Sequence, residues 1–253
     1  MFKNAIVQRP GRSLVSGITS ANLGKPDYER ALQQHDMYIE ALKRCDVRVT
    51  VLEADENYPD SVFVEDTAVL AEKCAVITNP GAPSRRGEEL SIKEALKKFY
   101  GNIECITAPG TLDGGDVMRV DDHFYVGLSA RTNEQGAGQF AEILNKYGYT
   151  AAAVKMENVL HLKTGLAYLE NNNLLVAGEF IDHPEFASFN RIIVHESESY
   201  AANCIWVNNI VLVPLGYAKT KAAIEGAGYN VLEVDVSEFQ KLDGGLSCLS
   251  LRF

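Results

Sequence analysis

Four apolar hairpins of similar design recur along this chain, and they constrain its fold more than any other feature. Each joins two short apolar runs through polar turn residues, the sequence signature of an antiparallel β-hairpin. The first links Thr67–Leu70 to Ala75–Thr78 through Glu72-Lys73, and the second links Val117–Val120 to Phe124–Val126 through Asp121-Asp122. The third links Gly165–Leu169 to Leu174–Ala177 through Asn171-Asn172-Asn173, and the fourth links Ile205–Val207 to Ile210–Val213 through Asn208-Asn209. The turns fall near positions 72, 122, 171 and 208, so they lie roughly 50, 49 and 37 residues apart, within the range of repeat architectures.

Between hairpins the pattern calls for a helix and then another strand. Glu88–Phe99 carries Ile92, Ala95, Leu96 and Phe99, and Glu134–Tyr147 carries Phe140, Ile143, Leu144 and Tyr147. Both are i, i+3, i+4, i+7 stripes. Pro26–Arg44 opens on a proline, which suits a first helical turn; weaker helical patterns lie at Pro184–Asn190 and Ala218–Gly226. Strands are expected at Val47–Leu52, Ile103–Ala108, Thr150–Lys155, Arg191–Val194 and Asn230–Val236. A C-terminal strand, Cys248–Phe253, pairing with Asn4–Gln8 would complete a fifth hairpin and leave no free terminal sheet edge. The pattern therefore predicts an α/β fold of five strand-helix-strand-strand units closed by its own termini. An ordinary α/β sandwich with fortuitous spacing is the alternative.

The 253 residues fit one domain, 1–253. Net charge is −10, so no nucleic-acid partner is expected, since such binders present a basic face. The five cysteines are widely spaced with no C-x-x-C, which argues against a zinc site and suits a reducing, cytoplasmic compartment. The longest uncharged run, Tyr200–Ala218, contains Asn203, Asn208, Asn209 and Pro214. It reads as a hairpin, and no membrane span is expected.

The segments entering the hairpins occupy equivalent places in such a ring. They are Pro59–Asp66, Leu112–Asp116, His161–Gly165, Ala201–Cys204 and Asp243–Cys248. Between them they bring acids, a histidine and two cysteines toward one centre. A thiol, a histidine and an orienting acid make a nucleophilic triad. Extra carboxylates beside a thiol suit a cationic substrate, because Asp60, Glu65 and Asp66 match the donor fork of a guanidinium. Each residue also has a plainer reading. Cys45, Cys74, Cys105 and Cys204 read as core packing. His161 at the start of an apolar strand fits a satisfied structural histidine. Asp113-Gly-Gly-Asp116 fits a turn. His35, His123, His183 and His195 read as helix, turn or surface positions. Cys248 stands apart because Gly244-Gly245 allow close approach.

Seven blocks in order resemble the dimethylarginine dimethylaminohydrolase family, of the guanidine-modifying pentein superfamily. They are Asp60-Ser-Val-Phe-Val-Glu-Asp66, Gly81-Ala-Pro-Ser-Arg-Arg86, Leu112-Asp-Gly-Gly-Asp116, Ser129-Ala-Arg-Thr-Asn133, His161-Leu-Lys163, Ala201-Ala-Asn-Cys-Ile205 and Asp243-Gly-Gly-Leu-Ser-Cys248. The resemblance runs from end to end. It implies a five-bladed pseudo-symmetric ββαβ propeller and hydrolysis of Nω-methylated arginines to citrulline plus methylamine or dimethylamine. It also implies Cys248 as nucleophile, His161 as general acid/base and Asp113 as the carboxylate supporting it, where some members carry the longer Glu. Asp60, Glu65 and Asp66 match substrate-binding acids, and Arg85 and Arg131 match arginines for the amino-acid end. Ile18 and Leu242 match positions whose backbone meets the substrate. No cofactor and no metal are expected, because a guanidinium is already a cationic electrophile, and a homodimer suits the family. Arginine deiminase and a non-catalytic binding protein of the same fold are the alternatives. The first resembles a longer chain with an added insert, as does agmatine deiminase, whose substrate lacks a carboxylate for two arginines to meet. The second is opposed by the joint presence of Cys248, His161 and Asp113. Val15–Pro26, rich in Ser, Gly and Thr, is the best lid candidate.

Overall fold

The computed structural model describes residues 1–253, and its fold repeats one local solution five times. The strands are β1 (Asn4–Gln8), β2 (Arg48–Leu52), β3 (Ala68–Leu70), β4 (Ala75–Ile77), β5 (Ile103–Cys105), β6 (Val117–Val120), β7 (His123–Leu128), β8 (Thr150–Lys155), β9 (Leu166–Tyr168), β10 (Asn173–Val176), β11 (Asn190–Ile193), β12 (Ile205–Val207), β13 (Ile210–Pro214), β14 (Asn230–Val234) and β15 (Leu251–Arg252). They form five separate three-stranded sheets. In each, the middle strand is antiparallel to one neighbour and parallel to the other.

The hairpin turns explain the first pairing. Asp121, Asn171, Asn172, Asn208 and Asn209 all take positive φ, the left-handed conformation that short Asx side chains tolerate and that tight hairpins need. The segment after each middle strand explains the second pairing. A parallel strand needs a crossover connection, supplied by α1 (Tyr28–Arg44), α2 (Glu89–Leu96), α3 (Glu134–Lys146) and α4 (Ala218–Gly226). The crossover from β10 to β11 instead holds only 3-10 turns, Gly178–Phe180 and Pro184–Phe186. The helix expected at Pro184–Asn190 is thus one short turn, and Asn190 already belongs to β11.

Local signals set the other ends. Asp27 caps α1 by accepting the Arg30 N–H, so Pro26 precedes the cap instead of sitting in the first turn. Asn133 caps α3 in the same way through Gly136 N–H. The apolar stripe of α3 buries Phe140, Ile143 and Leu144 against Phe124 and Tyr149, whose rings lie 5.7 Å apart. No helix is long and apolar enough to cross a membrane.

The chain ends meet as expected. β1 pairs with β15, Ala5 opposite Arg252. Cys248 itself lies outside the strand, in a 3-10 turn at Ser247–Leu249. The other four segments entering the inner strands also end in 3-10 turns, at Val64–Thr67, Gly114–Asp116, Leu162–Thr164 and Glu196–Ala202. These turns pack in a series: Ser247–Leu249 against Val64–Thr67, then Gly114–Asp116, Leu162–Thr164 and Glu196–Ala202. Gly114 permits one of those approaches, because a Cβ there would run into the Glu65 carbonyl oxygen.

Helix α1 is tied to the Ser247–Leu249 turn. The buried Tyr38 hydroxyl donates to the Leu246 carbonyl at 2.9 Å and meets Ser250 Oγ at 2.6 Å. Ser250 keeps a bond from Arg252, but Tyr38→Phe removes the hydroxyl from the Leu246 carbonyl in a buried place and is expected to destabilise the protein by about 1–3 kcal/mol. Urea denaturation monitored by circular dichroism reads this directly; an unchanged midpoint would contradict it.

Candidate active site

Each 3-10 turn delivers one or two polar side chains to a common centre. His161 precedes Leu162–Thr164, and its Nε2 lies 3.1 Å from Asp113 Oδ2 and 4.0 Å from Asp66 Oδ1. Asp113 is fixed from its other oxygen, Oδ1, which accepts Gly81 N–H at 2.8 Å. Gly115 lets the imidazole in: a Cβ there would stand 2.9 Å from both the His161 ring and Asp66 Oδ1. The Leu162 N–H bonds the buried Asp116, which also accepts from Ser129 and Thr132 hydroxyls. Thr132 Oγ1 in turn accepts Asp113 N–H. One carboxylate thus orders both members of the His161–Asp113 pair.

Burial alone would lower the His161 pKa, but Asp66, the hydrogen bond donated to Asp113 and then Asp116 outweigh it and raise the pKa to about 9. The ring is therefore an imidazolium at neutral pH. Its pairing contributes stability in full below the ordinary value near 6.5, and loses it as pH rises through about 9.

Cys248 is half-buried and shares with His161 a small cavity of about 30 Å³. Gly245 N–H points at Sγ from 3.4 Å. Burial, then Glu65 and Asp66, push this thiol up to about 12, against the pull of Gly245 N–H and Ser247. Glu65 pairs with Lys163 Nζ at 2.6 Å and accepts the Ser247 hydroxyl at 2.7 Å. Asn203 holds the neighbouring turns together, accepting Ser247 N–H at 2.9 Å and donating to the Lys163 carbonyl. A larger cavity, about 630 Å³, also has Glu65 and Lys163 in its wall but lacks Cys248 and His161.

The remaining expected residues form a second group. Ile18 N–H donates to Asp60 Oδ1 at 3.0 Å, and Leu242 packs at Gly17 beside the same carboxylate. Burial raises the Asp60 pKa, opposed by Arg85, the Ile18 N–H and Arg131. Arg131 is half-buried and makes no ion pair within 4.0 Å. Arg85 is engaged within the protein. It is 6% exposed, ion-paired to Asp66 and Glu88, and bonded to the Phe63 carbonyl. One N–H of Nη1 is its only donor without a partner. Asp66, although buried, is held near 2 by His161 and Arg85. Val15–Pro26 crosses close to the nucleophile segment: Thr19 Oγ1 donates to the Lys241 carbonyl, and Ser20 Oγ to Asp243 Oδ2.

Ligand atoms of Asp66, Asp113 and His161 lie within 4.8 Å of one another, a spacing that suits a cation. Asp66 already faces Arg85 and Gly115 N–H, so the trio is satisfied as an ion-pair network. Lys163, Asp116, Asn203, Ser247, Tyr200 and Glu88 were not singled out from sequence. The available signal was a polar residue flanked by apolar or glycine neighbours, as in Ala201-Ala-Asn-Cys-Ile205. His35, read as a helix, turn or surface position, is fully buried on α1 with both ring nitrogens unpartnered. Burial lowers its pKa to about 4.

A thiol, an imidazolium and a supporting carboxylate amid buried acids are the parts of a nucleophilic site for a cationic substrate. A family model described as N,N dimethylarginine dimethylhydrolase, eukaryotic, matches residues 22–205. The chain is 59% identical to the N(G),N(G)-dimethylarginine dimethylaminohydrolase of Pseudomonas aeruginosa, with both chains covered in full. It is 35% identical to the enzyme of that name from Streptomyces coelicolor, over 99% of this chain and 96% of the other. A solved structure of the Pseudomonas aeruginosa protein, a cysteine-to-serine mutant complexed with citrulline, superposes with a TM-score of 0.99 at 58% identity over all of both chains. The chain belongs to the dimethylarginine dimethylaminohydrolase family.

Iodoacetamide alkylation of Cys248 in the substrate-free protein is expected to be slow at pH 7 and still rising above pH 8, as the raised thiol requires. A rate that levels off at or below pH 7 would show a thiolate already formed.

Proposed function

We propose that this chain hydrolyses Nω-methylated L-arginines, asymmetric dimethylarginine and monomethylarginine, to L-citrulline and dimethylamine or methylamine. The observation that carries the reading is the shared cavity of Cys248 and His161, with His161 held 3.1 Å from Asp113. It sits in a chain so similar to a named dimethylarginine dimethylaminohydrolase. Residues 1–253 act as one catalytic domain. Its five sheets stand as the blades of a pseudo-symmetric ββαβ propeller, a reading supported by the serial packing of the five 3-10 turns. Two copies form a homodimer, which light scattering tests.

The chemistry follows from the charges. The substrate guanidinium enters a site rich in carboxylates, where Asp60, Glu65 and Asp66 stabilise it. Ile18 and Leu242 present backbone groups to the amino-acid end. Arg131 takes the α-carboxylate, and Arg85 adds its one unengaged N–H while holding Asp66. The arriving cation favours the Cys248 thiolate by charge attraction, offsetting the burial that keeps the thiol protonated. Sulfur attacks the guanidinium carbon and forms a tetrahedral adduct. Imidazolium His161 protonates the departing amine, since an amine anion does not leave. This leaves a thiouronium on Cys248. The neutral His161 then takes a proton from water as that water attacks the same carbon. Collapse expels the thiolate and yields citrulline. Asp113 keeps His161 oriented through both steps, and the general acid/base help from His161 is worth about 10²–10⁴ in rate.

Citrulline release by purified protein, offered asymmetric dimethylarginine or arginine separately at equal concentration, tests the assignment. Release from the methylated substrate alone is expected. Release mainly from arginine would make the chain a deiminase. Release from neither by folded protein would favour a binding protein. Cys248→Ser is expected to bind substrate and lose turnover; citrulline formation at the wild-type rate by that variant would remove Cys248 from the mechanism.

A further inference from the structure

Hydrolysis of a methylated guanidinium needs a surface that the methyl groups can touch. Methyls accept and donate no hydrogen bonds, and leaving them against unsatisfied polar groups costs binding energy. The nitrogen that carries them is the one His161 protonates, so the methyls lie in the cavity shared by His161 and Cys248. That cavity is lined by ten residues, nearly all of them charged, polar or glycine. Besides the His161 imidazole, Tyr200 supplies its only ring, and the only one that carries no charge.

Tyr200 is held in place from both its hydroxyl and its ring. Its hydroxyl donates to the Gly244 carbonyl at 2.8 Å, next to the glycine whose N–H points at Cys248 Sγ. Its ring packs on Tyr217 at 5.6 Å between centroids, and Gln240 Nε2 donates to the Tyr217 hydroxyl at 3.2 Å. With its hydroxyl already bonded to the Gly244 carbonyl, Tyr200 has its ring left to offer the cavity. Aromatic faces attract N-methyl groups that carry part of a cationic charge, as aromatic cages do for methylated ammonium groups.

We infer that Tyr200 is a specificity-determining residue, whose ring receives the methyl groups of the departing nitrogen. The inference rests on the methylarginine-hydrolase reading and adds the part of the pocket that tells a dimethylated nitrogen from a monomethylated one.

The test is the ratio of kcat/KM for asymmetric dimethylarginine to that for monomethylarginine, measured by citrulline release. Tyr200→Phe keeps the ring and loses the bond to Gly244; its rates fall for both substrates while the ratio stays within about twofold of wild type. Tyr200→Ala removes the ring, and the ratio falls by roughly tenfold, the low end of what one missing methyl contact is worth in a fitted pocket. Tyr200→Gln, which fills the volume with a polar chain, gives the same fall and serves if the alanine variant does not fold. An unchanged ratio in the alanine or glutamine variant would overturn the inference. So would an equal collapse in Tyr200→Phe, which would place the effect in the hydroxyl. These outcomes leave the wild-type activity standing. A wild-type protein that releases citrulline from neither substrate would take down the hydrolase reading and this inference with it.

Discussion

Buried negative charge is the constraint around which the centre of this molecule is built. Asp60, Glu65, Asp66, Glu88, Asp113 and Asp116 are all nearly inaccessible to solvent. An ionised carboxylate in such a place is costly unless hydrogen bonds or a cation compensate it. Every one has compensation, and almost every partner comes from a distant part of the chain. Asp60 takes the Ile18 N–H, Asp113 the Gly81 N–H, Asp116 the Leu162 N–H, and Glu65 the Lys163 ammonium and Ser247 hydroxyl. The turns around the centre are therefore held to one another by charge as well as by packing.

Arg85, Lys163 and His161 are the cations that face these acids in ion pairs, so carboxylates outnumber them. Burial raises the Glu88 pKa to about 7, which moderates that excess near neutrality. What is left suits a guanidinium. The same excess raises His161, and it adds to the burial that is the main reason the Cys248 thiol is pushed up. The carboxylates that suit a guanidinium thus also act on the imidazole and the thiol.

Sequence reading reached the sheets well because their signals are local. Alternating apolar runs and Asn or Asp turns define β6–β7, β9–β10 and β12–β13, and the terminal pair β1–β15 appears with the expected partners. The 3-10 turns were not legible, because no propensity marks three residues that are shaped by what packs on them. Cys248 was accordingly assigned to a strand that starts three residues later. Pro184–Asn190 forms only one 3-10 turn, although Phe186 and Phe189 do pack into the core. Within the site, motif resemblance named the thiol, the imidazole and their acids. The inward placement of Arg85, and the bridging work of Asn203, Lys163 and Asp116, depend on distances between segments that no linear pattern records.

The pairing of β1 with β15 has a consequence for how the protein comes into being. Strand β1 finds its antiparallel partner in β15, with Ala5 opposite Arg252, a contact of very large sequence separation. Such closures are slow, since the entropy of bringing the ends together is lost before the pairing rewards it. Cys248 lies just ahead of β15, in a turn that packs on the earlier turn Val64–Thr67. Cys248 is thus the last of the centre's side chains in chain order, and Glu65 gains its Ser247 partner only when the same late turn docks.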